Sequence, residues 1–397
     1  MIPSAREKFL KSFSTQRYEE FLKALNNVHP GQIDFRVAET PVFVPADFKN
    51  KMLDACESII DLILDENFIS KTEASIPPGE KVKGSSSIPQ MIAFDFGICV
   101  SESGEPEPRL IEMQGFPTLF GFQPILAGYY KAYFDIAESF SPHPLQMSSE
   151  EYAAVLKKTI LGNHSPEEVI LLEIFPEKQK TRIDFYCTED LTGIQTVCLT
   201  QLQKEGRNIY YLRDGKKTKV KRIYNRVIFD ELNKIVNVNS LPVKLTDDLD
   251  VEWVPHPDWF YRISKYTLPF IHHPYVPATY FLNEVNQLPG NLSNFVLKPL
   301  FSFAGQGVII DVQQEDIYKI ENPEQWILQE KVEYKEVIPT TNIPSKAEIR
   351  IMYIWEEGES RPKPVMNLAR LSKGKMIGVR YNEGHDWVGG SIALFEG

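Results

Sequence analysis

The sequence predicts an α/β protein whose core is interrupted by a second, smaller sheet domain. Apolar residues at helical spacing run through residues 5–28 and again through 46–70. Apolar runs of strand length, separated by turn residues, follow at 91–113. A strand–helix–strand pattern then occupies 166–245, which indicates a small parallel sheet. A chain of 397 residues is long enough for two or three such units.

The composition narrows the class of protein. The apolar fraction of 43% is ordinary for a globular chain, and a net charge of −11 argues against an extended nucleic-acid surface. No apolar run reaches about 18 residues, so no membrane span is predicted. The N-terminus has no signal-peptide core. The cysteines lack metal-ligand spacing, which favours buried, reduced thiols in a cytoplasmic protein over disulfides; they are Cys56, Cys99, Cys187 and Cys198.

The first half of the chain predicts helices and a hairpin. The two amphipathic segments are expected to be helical, as is 123–133. Between them, residues 91–100 and 109–113 flank a turn-rich segment, which predicts two antiparallel strands.

The middle of the chain predicts the inserted domain. Residues 169–174 and 194–200 are expected to be strands on either side of a helix at 181–190. Runs at 210–212 and 220–224 flank Asp214-Gly215, a dipeptide typical of a hairpin turn.

The last third alternates strand and loop patterns. Residues 250–290 predict helix and loop, and 295–397 predict strands with one helix near 316–319.

A hairpin at 295–310 is the most informative segment of the chain. An apolar run ends in Lys298, a loop carrying Gly305, Gln306 and Gly307 follows, and a second apolar run completes the pattern. Loop glycines let backbone N–H groups approach phosphate oxygens, and a lysine at the strand end adds positive charge. The alternative is an ordinary hairpin with a lysine at its edge.

Two further strands carry polar residues at informative positions. Residues 326–333 change from apolar to polar at Glu330 and Lys331. This pattern is typical of a strand whose backbone contacts the edge of an adenine, and equally of an amphipathic edge strand. Alternation in 347–354 puts Glu348 and Arg350 on one face, where a cross-strand ion pair is the simpler interpretation.

Glu112 and Gln114 lie two residues apart on a predicted strand, just before a turn. Two oxygen ligands at this spacing suit a Mg²⁺ ion that also holds phosphate oxygens. Asp95, on the preceding strand, could support them. Because an amide is a poorer ligand than a carboxylate, Gln114 weakens this pattern.

Taken in order, these segments resemble the eukaryotic-type glutathione synthetases, a circularly permuted branch of the ATP-grasp ligases. A Glu-x-Asn metal motif in that family precedes the ATP-binding lysine, as Glu112-Met113-Gln114 precedes Lys298 here. The other matching segments are Arg222-Ile-Tyr-Asn-Arg226, Pro257-Asp258, Phe295-Val-Leu-Lys-Pro299, residues 327–331, Ala347-Glu348-Ile349, Val365-Met366-Asn367, Arg370 with Lys373, and Gly389-Gly390.

The resemblance implies a fold and an activity. The fold would be a circularly permuted ATP-grasp core at 1–165 and 246–397, with a lid at about 295–345 and an inserted substrate-binding domain at 166–245. The activity would be ATP-dependent ligation of a carboxylic acid to an amine through an acyl phosphate. The substrates would be small molecules such as amino acids or peptides. Members of this family are often dimers, so a homodimer stays open.

The resemblance also implies roles for individual residues. ATP would be held by Lys298, Gly305, Gln306, Gly307, Gln329, Glu330, Lys331, Val332, Glu348 and Lys265. Glu112 and Gln114, supported by Asp95, would hold Mg²⁺. Arg226 would clamp a substrate carboxylate, and Arg370 with Lys373 would stabilise the transferred phosphoryl group.

This chain departs from the family pattern at positions that matter for metal binding. Ser302 stands where the family has a metal-binding glutamate, and Gln114 stands in place of asparagine. These departures keep a second hypothesis open, a nucleotide-binding protein that has lost catalysis and acts as a sensor or partner.

Overall fold

A computed structural model describes residues 1–84, 87–301, 307–340, 342–374, 377 and 382–397. The strands are β1 Val42–Val44, β2 Met91–Val100, β3 Pro106–Gln114, β4 Phe140–Ser141, β5 Val169–Glu173, β6 Gln195–Cys198, β7 Gln203–Glu205, β8 Asn208–Arg213, β9 Lys216–Val220, β10 Arg222–Asn225, β11 Glu252–Val254, β12 Thr279–Phe281, β13 Phe295–Pro299, β14 Ile309–Ile310, β15 Trp326–Glu330, β16 Lys346–Ile354, β17 Lys363–Ser372, β18 Gly389–Ser391 and β19 Ala393–Glu396.

The α-helices are α1 Pro3–Ser12, α2 Thr15–Asn26, α3 Ala46–Leu64, α4 Phe68–Lys71, α5 Gln123–Tyr133, α6 Ser149–Leu161, α7 Ile183–Thr192, α8 Phe229–Ile235, α9 Trp259–Arg262 and α10 Gln314–Tyr318. Single turns of 3₁₀ helix lie at Glu73–Ser75, Pro166–Glu168, Pro176–Lys178, Leu199–Gln201, Val238–Ser240, Leu282–Glu284, Leu292–Asn294 and Pro323–Gln325, and a longer one lies at Lys265–Phe270.

The core sheet is antiparallel, in the order β18-β17-β16-β2-β3. Its middle strands β2 and β16 are buried along nearly their whole length. Their side chains are mostly aliphatic or aromatic, as expected of strands that are covered on both faces. Asp95 is an exception, and it pairs in register with Glu112 on one side and Arg350 on the other. Charged residues are therefore gathered on one face of an otherwise apolar sheet.

A β-bulge in the edge strand β3 decides which face Glu112 occupies. Asp95 pairs with Glu112 and Phe96 pairs with Leu110, so Ile111 is the extra residue between them. Because paired residues share a face, the bulge puts Glu112 beside Asp95 and leaves Leu110 with the apolar Phe96.

The outer sheet is also antiparallel, in the order β12-β15-β13-β14. The predicted hairpin at 295–310 is present, with Val296 opposite Ile310. Of its predicted loop residues, Gly305 and Gln306 lie outside the described part of the chain, as does Ser302. Gly307 has a φ of +73°, and a Cβ there would lie 2.8 Å from the Pro299 ring, so the turn requires glycine.

The predicted small parallel sheet is present, in the order β11-β10-β5-β6 with every adjacent pair parallel. Its edge strand β11 lies beyond the predicted boundary at 245. The predicted run at 220–224 is divided between two sheets: Val220 ends β9, and Arg222 begins β10. The backbone N–H of Lys221 donates to Glu168, which draws the chain out of the hairpin and into the parallel sheet. The hairpin β8–β9 turns at Asp214-Gly215, as predicted.

The N-terminal helices differ from the predicted pair at their ends. The segment 5–28 forms two helices because Ser14 caps a new N-terminus, accepting from the backbone N–H of Arg17. The second predicted helix stops at Leu64, since the side chain of Asp65 accepts from the backbone N–H of Asn67. Helix α5 has the predicted bounds. The segment predicted as helix and loop at 250–290 also contributes β11 and β12.

A further three-stranded sheet, β1-β19-β4, joins the N- and C-terminal parts of the chain. The cysteines are buried free thiols, as predicted. Across the described residues, no helix combines the length and the apolar character that crossing a membrane requires.

Candidate active site

Lys298 connects the outer sheet to the core sheet. It lies on β13, and its Nζ donates to the backbone oxygen of Ile111 on β3 at 3.3 Å and to Gln329 Oε1 on β15 at 2.6 Å. The Gln329 amide in turn donates to Thr279 Oγ1 at 3.0 Å, which fixes the orientation of the amide. The bulged residue Ile111 therefore supplies the carbonyl that the lysine reaches.

Two ammonium groups share the environment of Glu112, that of the half-buried Lys298 and that of the buried Lys265. Burial lowers the pKa of Lys298 to about 8, against the opposing effects of Glu112 and Glu348. Burial also lowers the pKa of Lys265, which Glu112 again partly offsets. An anion placed between these lysines would offset the cost of burying their charge.

Glu112, Gln114 and Lys265 line a cavity together with Phe116 and Phe260. Its volume is about 40 Å³, room for one or two water molecules. This cavity alone is therefore smaller than a triphosphate.

Asp95 is the centre of an arginine network on the core sheet. It is 1% exposed and accepts from Arg350 Nε at 2.5 Å, Arg350 Nη2 at 2.6 Å and Arg370 Nη2 at 2.7 Å. Arg370 also donates to Glu348 at 2.8 Å, and the Tyr334 hydroxyl donates to the same carboxylate. The interpretation of Glu348 and Arg350 as members of cross-strand ion pairs is confirmed, although their partners are Arg370 and Asp95.

The network sets the pKa values of its acids in opposite directions. Burial raises the pKa of Asp95, but the Arg350 and Arg370 guanidinium groups outweigh it and hold the pKa below its ordinary value. Burial raises the pKa of Glu348 above its ordinary value, with Arg370 opposing. Arg370 thus stands between one firmly ionised carboxylate and one that is costly to ionise.

The residues predicted to hold magnesium fit that ion poorly. Gln114 Nε2 donates to Glu112 Oε1 at 2.9 Å, and Arg350 Nη2 lies 3.8 Å from the same oxygen. Asp95 gives both its oxygens to guanidinium groups. Within the described ranges, no three His, Cys, Asp or Glu side chains come together in a way that could hold a metal ion. A single carboxylate that already faces a guanidinium group is a weak basis for a divalent site.

Arg226 is buried just after strand β10 of the parallel sheet. Its Nη1 donates to Asp184 Oδ2 at 3.1 Å, and its guanidinium carbon lies 5.5 Å from the centre of the Phe116 ring. Asp184 also accepts from the backbone N–H groups of Gly121 and Phe122 at 2.7 and 3.0 Å. The arginine predicted to clamp a substrate carboxylate thus has a carboxylate of the protein as its partner.

Lys373 and Lys331 have carboxylate partners of their own. Lys373 Nζ donates to Asp386 at 2.8 Å and to Asn342 at 2.5 Å. Lys331 is exposed and forms an ion pair with Asp311, which directly follows strand β14.

The structure therefore divides the predicted site residues into two sets. Those brought together between the core and outer sheets are Glu112, Gln114, Lys265, Lys298 and Gln329, with Asp95, Glu348 and Arg370 beside them on the core sheet. Those at separate ion pairs or hydrogen bonds are Arg226, Lys331, Lys373 and Glu330, the last accepting from the Ala278 backbone N–H at 3.3 Å. Val332 lies two residues beyond the end of β15, after Lys331.

Glu173 is a candidate residue that the sequence interpretation missed. It ends the buried strand β5 at the carboxyl edge of the parallel sheet, the edge where such sheets bind ligands. It is 4% exposed, and burial raises its pKa to about 8 although Arg226 opposes the shift. An acid that closes an otherwise apolar strand, Val-Ile-Leu-Leu-Glu, was the available signal.

Comparisons with known proteins were made for the sequence and for the fold. Neither a protein-family model nor a curated protein sequence matches this chain. Solved structures do match, among them a glutathione synthetase-like effector from Globodera pallida in its apo form. The TM-score is 0.58 at 10% sequence identity, over 97% of this chain and 98% of that one. At such low identity the likeness shows the fold alone: the chain has a glutathione-synthetase-like fold.

Proposed function

We propose that this protein binds ATP between the core sheet and the outer sheet and uses it to join a carboxylic acid to an amine. The proposed fold is a circularly permuted ATP-grasp, with the parallel-sheet insertion as the substrate-binding domain. The observation that carries the proposal is Lys298, a half-buried lysine whose ammonium group bridges the two sheets beside Lys265 and Glu112. The glutathione-synthetase-like fold over the whole chain supports it.

The proposed reaction has two steps. The substrate carboxylate attacks the terminal phosphorus of ATP, and the bond from that phosphorus to the bridging oxygen breaks. ADP is released, and the substrate becomes an acyl phosphate. The amine then attacks the acyl carbon, inorganic phosphate leaves with the bonding electrons, and the amine loses a proton. In this mechanism the protein contributes position and charge, as in other phosphoryl transfers.

Different residues of this chain would bind the nucleotide and the substrate. Lys298 and Lys265 would neutralise the phosphate oxygens, and Arg370 would lie close to the transferred group. The carboxyl edge of the parallel sheet, with Arg226 and Glu173, would receive the substrate. No step of the proposed reaction passes through a metal ion, because the residues present fit one poorly.

One observation favours a second candidate, a nucleotide-binding protein without turnover. Each side chain predicted to be catalytic already donates to a carboxylate of the protein: Arg370 to Asp95 and Glu348, Arg226 to Asp184, and Lys373 to Asp386. An anionic substrate would have to compete with these partners. A site whose arginines are paired in this way can bind a nucleotide through its lysines, but its arginines are not available to stabilise the transferred phosphoryl group.

Two measurements on the full chain separate these functions. Calorimetric titration with ATP measures binding, and an ADP-release assay over pairs of amino acids and dipeptides measures turnover. We expect Lys298→Ala to weaken ATP binding by about 10- to 100-fold, the range for losing a charge-assisted hydrogen bond. Lys363→Ala is the matched control, because this exposed core-sheet lysine pairs only with Glu359 in the described chain.

Each outcome points to one function. Turnover that is lost in Lys298→Ala and kept in Lys363→Ala supports the ligase. Binding that depends on Lys298 without turnover on any acid–amine pair refutes the ligase and supports the second candidate. Equal ATP affinities of the two variants would contradict the assignment of the nucleotide site to the cleft between the core and outer sheets.

A further inference from the structure

The guanidinium group of Arg350 lies beside the carboxylate predicted to bind metal. Its Nη2 is 3.8 Å from Glu112 Oε1, on the shared face of the core sheet. Two short hydrogen bonds to Asp95 hold the group in place, and its side chain is 8% exposed. Because a bidentate pair fixes the plane of the guanidinium, Arg350 is a permanent positive neighbour of Glu112.

Acidic and cationic side chains are both gathered around the cleft between the core and outer sheets. The acids are Asp95, Glu112, Glu348 and, near Lys265, Asp230; the cations are Lys265, Lys298, Arg350 and Arg370. The acids of the core sheet are already paired with arginines, and Glu112 additionally accepts from the Gln114 amide. The Lys298 ammonium donates to two neutral oxygens, so a polyphosphate would meet positive charge there before any metal ion is added.

A divalent cation in a nucleotide site lets a protein carboxylate and phosphate oxygens lie close together without repulsion. At Glu112 a guanidinium group already supplies positive charge. An ion bound to that carboxylate would lie within a few ångströms of Arg350 and be repelled by it.

We propose that Arg350 takes the part of a divalent cation at Glu112, so that this cleft binds a nucleoside triphosphate without a metal ion. The inference rests on the proposed nucleotide site and extends it. Arg350 is a positioning residue: it neutralises Glu112, while Lys298 and Lys265 contact the phosphates.

The test needs variants that remove Arg350 without burying an unpaired charge. Arg350→Met alone would leave Asp95 with one arginine, so the informative variant is the double substitution Asp95→Asn with Arg350→Met. Arg350→Lys keeps the positive charge without the bidentate pair to Asp95, so it tests whether the charge alone is sufficient. Arg361→Met is the matched control, because Arg361 pairs with Glu57 and Asp61 on helix α3, away from the cleft.

The measurement is the affinity of the full chain for a non-hydrolysable ATP analogue, by calorimetry, in EDTA and in MgCl₂. For the natural sequence, Arg350→Lys and Arg361→Met, we expect the two affinities to agree within about threefold, less than the tenfold that 1.4 kcal/mol represents. In the double variant Glu112 is released from the guanidinium, so we expect binding at least about tenfold tighter in MgCl₂ than in EDTA.

The results distinguish the inference from the function beneath it. A natural protein whose affinity falls by more than about tenfold in EDTA overturns the inference and leaves the nucleotide site standing. Equal affinities in the two media for a folded double variant also overturn it. Should the double variant unfold, the natural protein and Arg350→Lys still decide the question. No binding in either medium refutes the nucleotide site and the inference together.

Discussion

Asp184→Ala should be among the most destabilising single substitutions in this protein. Asp184 is fully buried on helix α7, where it receives two backbone N–H groups and the Arg226 guanidinium. Alanine would leave the N–H groups of Gly121 and Phe122 without that acceptor, at about 1–3 kcal/mol each. It would also leave a buried arginine without its carboxylate, a change that costs about 3–5 kcal/mol where it has been measured.

These costs do not add in full, because Asp184 is itself expensive to bury. Burial raises its pKa above the ordinary value despite Arg226 and the two N–H groups, so its removal relieves part of that cost. We therefore expect a loss of about 4 kcal/mol in the free energy of unfolding. Asp184→Asn keeps an acceptor for the N–H groups and should lose about half as much.

Urea denaturation with comparison of m-values measures these losses. The matched control is Asp190→Ala on the same helix, whose side chain is 65% exposed and pairs with His29. Solvent screens such a pair, so we expect a loss below about 1 kcal/mol. If Asp184→Ala and Asp190→Ala differed by less than about 1 kcal/mol, the reasoning about a buried polar junction would be refuted.

Three further outcomes follow from pKa values and backbone geometry. The pKa of Lys298 is about 8, and phosphate binds the charged form of this lysine. The ATP affinity measured by calorimetry should therefore fall about tenfold from pH 7 to pH 9. The affinity of Lys298→Ala should not show this fall. The pKa of Glu173 is raised from 4.5 to about 8, so its contribution to stability is present below about pH 4.5 and is lost as the pH rises through 8. Glu173→Gln should flatten that part of the stability–pH curve, and an unchanged curve would contradict the assignment. Gly389→Ala should lower the free energy of unfolding in urea by about 2–4 kcal/mol, because a Cβ there would lie 2.3 Å from the Arg36 carbonyl oxygen and φ is +120°. Gly128→Ala is the control: the space around Gly128 in helix α5 is open, so this change should be neutral or stabilising.

Local patterns were sufficient to predict much of the fold. Helix α5 and the 295–310 hairpin follow from apolar periodicity and turn residues a few positions apart. The parallel sheet followed from strand–helix–strand spacing, but its edge strand β11 was missed. A three-residue strand next to its partner β10 leaves too little periodicity to detect.

For the candidate site, the sequence indicates individual residues, but it does not indicate which side chains are their partners. Lys298 and Glu112 stood out because each follows a recognisable local pattern. The face that Glu112 occupies depends on the bulge at Ile111, which no periodicity reveals. Likewise, Asp95 and Arg350 are 255 residues apart in sequence, so their pairing became visible only in the fold.

The order of strands in the core sheet has a consequence for how the protein forms. Strand β2 cannot pair with β16 until the chain between them, including the whole parallel sheet, has been synthesised. The contact between Ser391 and Thr40 closes a still longer loop of 351 residues. The parallel sheet can thus form before this pairing, while β2 and β3 are a hairpin in which the other edge of β2 is unpaired. Exposed strand edges of this kind pair with one another, so we expect this protein to be most prone to aggregation while it is being synthesised.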